Sequence, residues 1–361
     1  MKKIGVLFGQ ETIFPQALIE RINQQNNKGI QAEAVVIDKV IQGQDTGYAV
    51  ILDRISHHVP FYRSWVKHAA LNGAVVLNNP FWWSADEKFV NNELALKAGL
   101  QVPKTVLLPT FEHPAHTTSD SFRNLAYPFD WDAIFAYTGF PAYLKPLSDG
   151  GWRNVHRVTS AEECFHRHAA TGHQVMLLQE EIHFESYYRC FYIGRQVRIM
   201  PYDPRRLHQH RYEADFTPDE QLQQTLVKQV AKLNQYLGYD FNTVEIAVHQ
   251  GVPYAIDFFN PAPEADIHTI GEANFEWIVA TSAAFLIEKA KAAVAKKGTA
   301  KLSWGGFLQE NTQVVTEKKV TEKKAVEKKK SVEKKTAEKK APAKKKEDAP
   351  VKVKKAKAKE A

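Results

Sequence analysis

The first eighty residues alternate continuous apolar runs with helix-spaced ones, and this alternation narrows the fold more than any other feature. Residues 3–8, KIGVLF, read as a buried strand, and beyond Gly9 the recurrence of Phe14, Leu18 and Ile22 predicts a helix over Phe14–Ile22. EAVVI at 33–37 and YAVILD at 48–53 are two more strands. Pro60–Leu71 reads as a helix with proline in its first turn, and AVVL at 74–77 as a fourth strand. Strands that are apolar throughout are buried on both faces, so the pattern predicts an α/β unit with a parallel sheet covered on both sides. Gly9 alone is no dinucleotide fingerprint, because no G-x-G-x-x-G follows the first strand. Asn78-Asn79-Pro80 marks a turn and a boundary.

A second unit opens near Ser84, which with Glu87 three positions on has the pattern of a capping box. Its helix is expected to run to Ala98 and stop at Gly99, with a strand over Lys104–Leu108 after Val102-Pro103. Polar residues from Thr110 to Leu125 predict a loop, and Phe129–Tyr137 a short helix ending at Gly139. In PAYLKPLSDGGWRNVHRV, 141–158, Lys145 closes one strand, Ser148-Asp149-Gly150-Gly151 turns, and Asn154–Val158 forms a second. A lysine at the mouth of a glycine-containing loop suits a flap whose N–H groups close over phosphates, but a lone Lys with Gly-Gly favours a plain hairpin with a surface lysine. Ser160 caps a helix over 161–171, and the strand Val175–Gln179 runs into Glu180-Glu181-Ile182. Tyr187–Ile193 and Gln196–Pro201 pair across Gly194-Arg195 and carry Arg189 and Arg198, with Arg205, Arg206 and Arg211 in the polar loop beyond. That many arginines in an acidic body fit anionic substrate groups. Thr217-Pro218 opens a helix whose stripe of Leu222, Leu226, Val230, Leu233 and Leu237 is core packing, and a last helix is expected near Glu272–Ala290.

Between those two helices lies TVEIAVHQGVPYAIDFFNPAPEAD, Thr243–Asp266. Val244–Val248 and Tyr254–Phe259, joined across His249–Pro253, have the signature of a β-hairpin. Glu245 comes from one strand and Asp257 from the other, and Asn260 follows, locked by Pro261 and Pro263. Convergent oxygen donors of this kind suit Mg²⁺ beside phosphates, and a buried hairpin with acids at its wet ends reads the same.

Charge is unevenly distributed. From Val314 onward there are nineteen lysines against eight acids, an excess of eleven positive charges, so the chain's net +7 leaves the first 313 residues at −4. The tail's short Lys/Glu repeats lack aromatic residues and hold too little apolar area to offset ordering, which predicts disorder and nonspecific contact with nucleic acid or other polyanions, or a solubilising role. Two cysteines, Cys164 and Cys190, make neither a disulfide framework nor a thiol metal site. The histidine pairs His57-His58, His166/His168 and His208/His210 lack zinc spacing. The N-terminal apolar run of five residues is too short for a signal peptide, and no stretch approaches the roughly 18 apolar residues of a membrane span, so a cytoplasmic protein is expected. Phe81-Trp82-Trp83, Trp131 and Trp152 are read as core or as an interface in a homodimer, and for most of them ahead of pocket wall.

Taken in order, three segments resemble the ATP-grasp superfamily over roughly residues 1–290, with carboxylate–amine ligases such as glutathione synthetase, D-alanine–D-alanine ligase and the ribosomal-protein glutamate ligases nearest in character. ADEKFVNNELALKAGLQVPKTVLL is similar to the family's entry helix, YLKPLSDGGWRNV to its lysine-proline strand and flap, and TVEIAVHQGVPYAIDFFNPAP to its metal hairpin. The resemblance implies a Rossmann-like first domain over 1–83, an ATP-grasp domain over 84–295 with its flap near 104–180, and a linker and tail over 296–361. It implies ATP and Mg²⁺ as cofactors and a small carboxylate joined through an acylphosphate to an amine, or to a thiol, with amino acids or a peptide as substrates. By position it assigns Lys88, Lys145, Gly150 and Gly151 to the ATP phosphates, Gln179, Glu180, Glu181 and Ile182 to adenine, and Glu185 to ribose. Glu245, Asp257 and Asn260 would hold Mg²⁺, and Arg189 with Arg205, Arg206 or Arg211 would steady the transferring phosphoryl group. Two departures stand out. Asp257 lies three residues before Asn260 where the family has two, so that either a bulge re-aims it or the metal site is altered, and Tyr187 stands where the ribose acid is expected. Alternatives are a non-catalytic nucleotide-binding module on the same fold and a scaffold for the lysine-rich tail.

Overall fold

The computed structural model describes residues 1–148, 154–213 and 217–293. Gly150, Gly151, Trp152 and the lysine-rich tail therefore lie outside the described residues. The chain opens with β1 (Lys2–Leu7), α1 (Ile13–Gln24), β2 (Ile30–Ala34), β3 (Tyr48–Asp53), α2 (Pro60–Leu71) and β4 (Val75–Leu77). These strands form a parallel sheet in the order β2-β1-β3-β4, as the alternation predicts. β2 is displaced from the expected 33–37. Its register pairs Ile30–Ala34 with β1, and Val35 and Ile37 run past the strand end to pack on the α2 side of the sheet.

Next come α3 (Pro80–Trp83), α4 (Lys88–Lys97), β5 (Thr105–Leu108), α5 (Trp131–Thr138), β6 (Ala142–Pro146), β7 (His156–Val158), α6 (Ala161–Ala169) and β8 (Met176–Glu180). Ser84 is no N-cap: it ends α3, and Glu87 occupies the cap position of α4. The aromatic run Phe81-Trp82-Trp83 forms a helical turn behind Pro80, with Trp83 buried, which leaves Ser84 at its C-terminal end. Strands β5-β8-β6-β7 make an antiparallel sheet packed on α5 and α6.

The described residues continue with β9 (Ser186–Ile193), β10 (Gln196–Pro201), α7 (Glu220–Leu237), β11 (Phe241–His249), β12 (Val252–Asp257), α8 (Ile267–Ile270) and α9 (Glu272–Ala292). Asp219, rather than Thr217, caps α7, its carboxylate accepting from the Leu222 N–H at 2.7 Å. Strands β10-β9-β11-β12 form a second antiparallel sheet. Its Tyr188, Cys190, Val244, Ile246 and Val248 face the predicted α7 stripe. Because side chains alternate along a strand, Tyr187, Arg189, Glu245 and Ala247 face the other way.

Helix α9 ties the last described segment to the first. Its Ile278, Val279, Ala283, Leu286 and Ala290 share one core with Ile4, Val6, Val50 and Leu52 of the parallel sheet, with α1, and with Phe191, Ile193 and Phe241 of the second antiparallel sheet. Gly194 makes this close approach feasible: its φ is +53°, and a Cβ there would sit 2.3 Å from the Phe285 ring. The predicted boundary at Asn78 is a pinned joint. Its buried amide accepts from the N–H groups of Asp240 (2.9 Å) and Phe241 (2.8 Å) and donates to the Phe241 carbonyl (2.7 Å). Among the described residues, no helix is long and apolar enough to cross a membrane.

Candidate active site

Two antiparallel sheets turn their polar faces toward one cleft. On the flap sheet, β6 buries Ala142, Leu144 and Pro146, which leaves Tyr143 and Lys145 on the opposite face. Lys145 Nζ donates to Gln179 Oε1 at 2.8 Å, and Gln179 Nε2 donates to Thr105 Oγ1 at 2.9 Å. Burial pushes the Lys145 ammonium down to about 8, and the nearby Lys88 charge adds to the effect, while the Asp257 and Glu245 carboxylates oppose it. Charges from α4, β6, β11 and β12 thus meet at one point. A pocket lined by Lys88, Asn91, Asn92, Lys145, Ile256, Asp257, Phe258 and Phe259 occupies that point. Lys88 Nζ lies 3.5 Å from the Pro146 carbonyl, directly beside Lys145.

The hairpin carries a bulge where the residue spacing is irregular. Ile246 pairs with Ala255, but Glu245 pairs with Asp257, so Ile256 is the extra residue. The bulge sets Asp257 directly across from Glu245. On the other side of β11, Glu245 is in register with Arg189 of β9, so Arg189, Glu245 and Asp257 form a row across three strands. Glu245, with a side chain only 12% exposed, accepts from the Tyr187 hydroxyl at 2.7 Å and lies 3.7 Å from Arg189 Nε. Burial raises its pKa. Arg189 pulls it back, Asp257 raises it further, and the Tyr187 hydrogen bond lowers it. Two carboxylates paired across adjacent strands, one of them little exposed, disfavour each other's charge, and hard oxygen donors suit a divalent cation. Among the described residues no three His, Cys, Asp or Glu side chains cluster as a metal site. Asn260, the third residue expected at the metal, follows Asp257 by three positions, and its backbone N–H donates to Asn242 Oδ1.

Asn242 fixes the loop that carries Asn260. Fully buried, it donates to the Phe258 carbonyl (2.9 Å) and to Asn234 Oδ1 (2.9 Å), and accepts from the Asn260 N–H (3.0 Å). The sequence reading missed it, although a polar residue in the Asn242-Val244-Ile246-Val248 face is a signal of a buried network. Replacing Asn242 with alanine strands the Phe258 and Asn260 backbone groups, and a loss of about 2–3 kcal/mol is expected in urea unfolding.

Arg189 donates to the Tyr212 hydroxyl at 2.8 Å and lies 4.0 Å from Glu264, which sits 3.3 Å from His208. Burial works against its charge, but Tyr212, Glu245, Tyr202 and Glu264 outweigh that, so its pKa is raised and it stays cationic. Arg211 donates to the Tyr202 hydroxyl (3.3 Å) and is near enough to Glu245 to lower its pKa. Arg205 and Arg206 both turn to Asp203, Arg205 through a bidentate pair at 2.9 and 3.0 Å, with Arg205 also stacked on Phe184. Ile182 and Phe184 join Tyr187, Tyr202, Tyr212 and Ile256 in an apolar wall. Of the linker acids, Glu180 accepts from the Lys104 N–H (3.1 Å), Glu181 pairs with Arg157 (2.8 Å), and Glu185 accepts from the Gln250 N–H (2.9 Å) beside His249.

No family model matches the sequence, and no curated protein matches it either. The structure is similar to that of a RimK-domain ATP-grasp protein from Sphaerobacter thermophilus, at 17% identity and a TM-score of 0.57, over 79% of this chain and 99% of that one. The chain has the ATP-grasp fold. A second ATP-grasp neighbour is D-alanine–D-alanine ligase from Bacillus anthracis, solved in complex with ATP, at 14% identity and a TM-score of 0.57, over 83% of this chain and 100% of that one. A third is the ATP-grasp ligase PsnB, solved with a phosphomimetic variant of its minimal precursor, Mg and ADP, at 15% identity and a TM-score of 0.52, over 80% and 99% of the two chains.

Proposed function

We propose that this chain is an ATP- and Mg²⁺-dependent ligase that joins a carboxylate to an amine. The observation that carries the reading is the bulge at Ile256, which places Asp257 opposite Glu245 within electrostatic reach of Lys145. Lysines facing paired acids across an ATP-grasp cleft are what a metal-bound triphosphate requires. In this reading Lys88 and Lys145 hold the phosphates, and Gly150 and Gly151 are assigned to them from the sequence alone. Glu245, Asp257 and Asn260 hold Mg²⁺, which when bound neutralises charge on the phosphates. Arg189, kept cationic among Glu245, Glu264 and Tyr212, faces the moving phosphoryl group, with Arg211 behind it.

The γ-phosphoryl group passes from ATP to a substrate carboxylate oxygen, giving an acylphosphate and ADP. An amine nitrogen then attacks the acyl carbon, phosphate departs with that oxygen, and the amine loses a proton. The solved neighbours named with D-alanine and, for the macrocyclase MdnC, with a precursor peptide support amino acids or peptides as the substrate class. The test is phosphate release from MgATP against a panel of amino acids and short peptides. Stimulation by a carboxylate–amine pair is the expected outcome. ATP binding without stimulation by any pair would instead make the chain a non-catalytic nucleotide-binding module.

A further inference from the structure

The Thr105 hydroxyl sits where the two sides of the phosphate cradle meet. It donates to the Pro103 carbonyl at 2.9 Å, and it accepts from Asn92 Nδ2 at 3.1 Å and from Gln179 Nε2 at 2.9 Å. A hydroxyl has one hydrogen and two lone pairs, so these three bonds use its whole capacity. With its hydrogen committed to Pro103, Thr105 can only accept from its other neighbours. That dictates which way both amides face. Gln179 must turn its NH₂ to Thr105, and its carbonyl oxygen is thereby left for Lys145 Nζ, 2.8 Å away. Asn92, for its part, is four residues after Lys88 on α4, so the two share one helix face.

We infer that Thr105 is a positioning residue that sets the placement of Lys145 through Gln179 and of Lys88 through Asn92. The inference rests on the reading of the cleft as a nucleotide site. Lys145 belongs to β6 and Lys88 to α4, and the single Thr105 oxygen on β5 meets the Gln179 amide of β8, which holds Lys145, and the Asn92 amide of α4, which carries Lys88. Two ammonium groups held close repel each other, as the effect of Lys88 on Lys145 shows, and an anchored geometry keeps them together ahead of a ligand. The phosphates then meet a prearranged pair of charges instead of having to collect them. Gln179 accordingly serves the phosphate lysine, while the adenine side of the cleft is left to Ile182 and its apolar neighbours.

Calorimetric titration of the full chain with MgATP, ADP and adenosine tests this. Thr105→Val keeps the shape of the side chain and removes all three hydrogen bonds. It is expected to weaken MgATP and ADP by about tenfold or more while adenosine changes by less than about twofold. Thr105→Ser is expected to restore wild-type binding. Equal losses for all three ligands would mean a general structural defect and overturn the inference, as would unchanged MgATP affinity. If Thr105→Val does not fold, Gln179→Met carries the same comparison, because it removes the acceptor of Lys145. Wild-type protein that binds none of the three would overturn the nucleotide reading itself, a result distinct from selective failure of the valine variant.

Discussion

Lys145→Ala is expected to lower MgATP turnover by about 10²–10³-fold, the order of loss seen when one prearranged donor facing developing charge is removed from an active site. The side chain is held at one end by its strand and at the other by Gln179, so alanine removes a fixed charge. Folding should suffer little, since the ammonium is already disfavoured by burial and by Lys88. The pH dependence follows from the same cause. Below about 8 the free protein carries the Lys145 charge, and as pH rises through that value the charge is lost. MgATP affinity should therefore fall between pH 7 and pH 9. Bound phosphates favour the charged form, so titrations near the Lys145 value should show proton uptake, measurable as a dependence of the binding heat on buffer. Neither effect should survive in Lys145→Ala. Wild-type affinity that stays flat across this range would remove Lys145 from the phosphate site.

Asp257→Ala is expected to have the second large effect. Groups that merely orient metal ligands cost about 10–100-fold in metal affinity when removed, and loss of a direct ligand should cost at least that. Activity titrated with Mg²⁺ should shift correspondingly to higher concentrations. The unliganded protein should not be destabilised, because Asp257 is exposed and its charge raises the pKa of buried Glu245. A thermal midpoint that holds or rises, combined with lost Mg²⁺ response, is the expected pair of results. Full activity at low Mg²⁺ would exclude Asp257 as a ligand and leave Glu245 and Asn260 to be explained otherwise.

Much of the architecture was legible because period and burial speak directly in sequence. Three of the four apolar runs of the first unit, the stripe from Leu226 to Leu237 and the hairpin at Val244–Phe259 each write their environment into residue spacing, whereas the run at 33–37 lies mostly past the end of β2. The bulge was legible only as a discrepancy, the extra residue between Asp257 and Asn260. Spacing could pose the question, but the answer lay in the register of β11 against β12. The roles of Gln179, Thr105 and Asn92 were hidden for another reason. Their hydrogen bonds join three separate elements, and nothing local in the chain distinguishes such a threonine from one on any strand. Arg205 and Arg206 illustrate the converse. Their charges were conspicuous in the sequence, yet both are drawn to Asp203, three residues or fewer away.

The position of α9 imposes an order on how this molecule can be made. The strands of the parallel sheet are complete by Leu77, yet the helix that covers Ile4, Val6, Val50 and Leu52 alongside α1 begins only at Glu272. At about 5–20 residues per second, a ribosome needs about 10–40 s to synthesise the stretch between them. For that interval the nascent first unit carries an incompletely shielded apolar face, and it offers a natural client surface to chaperones. Its maturation waits on the far end of the chain, and a fragment ending at residue 83 would remain in that unfinished condition indefinitely.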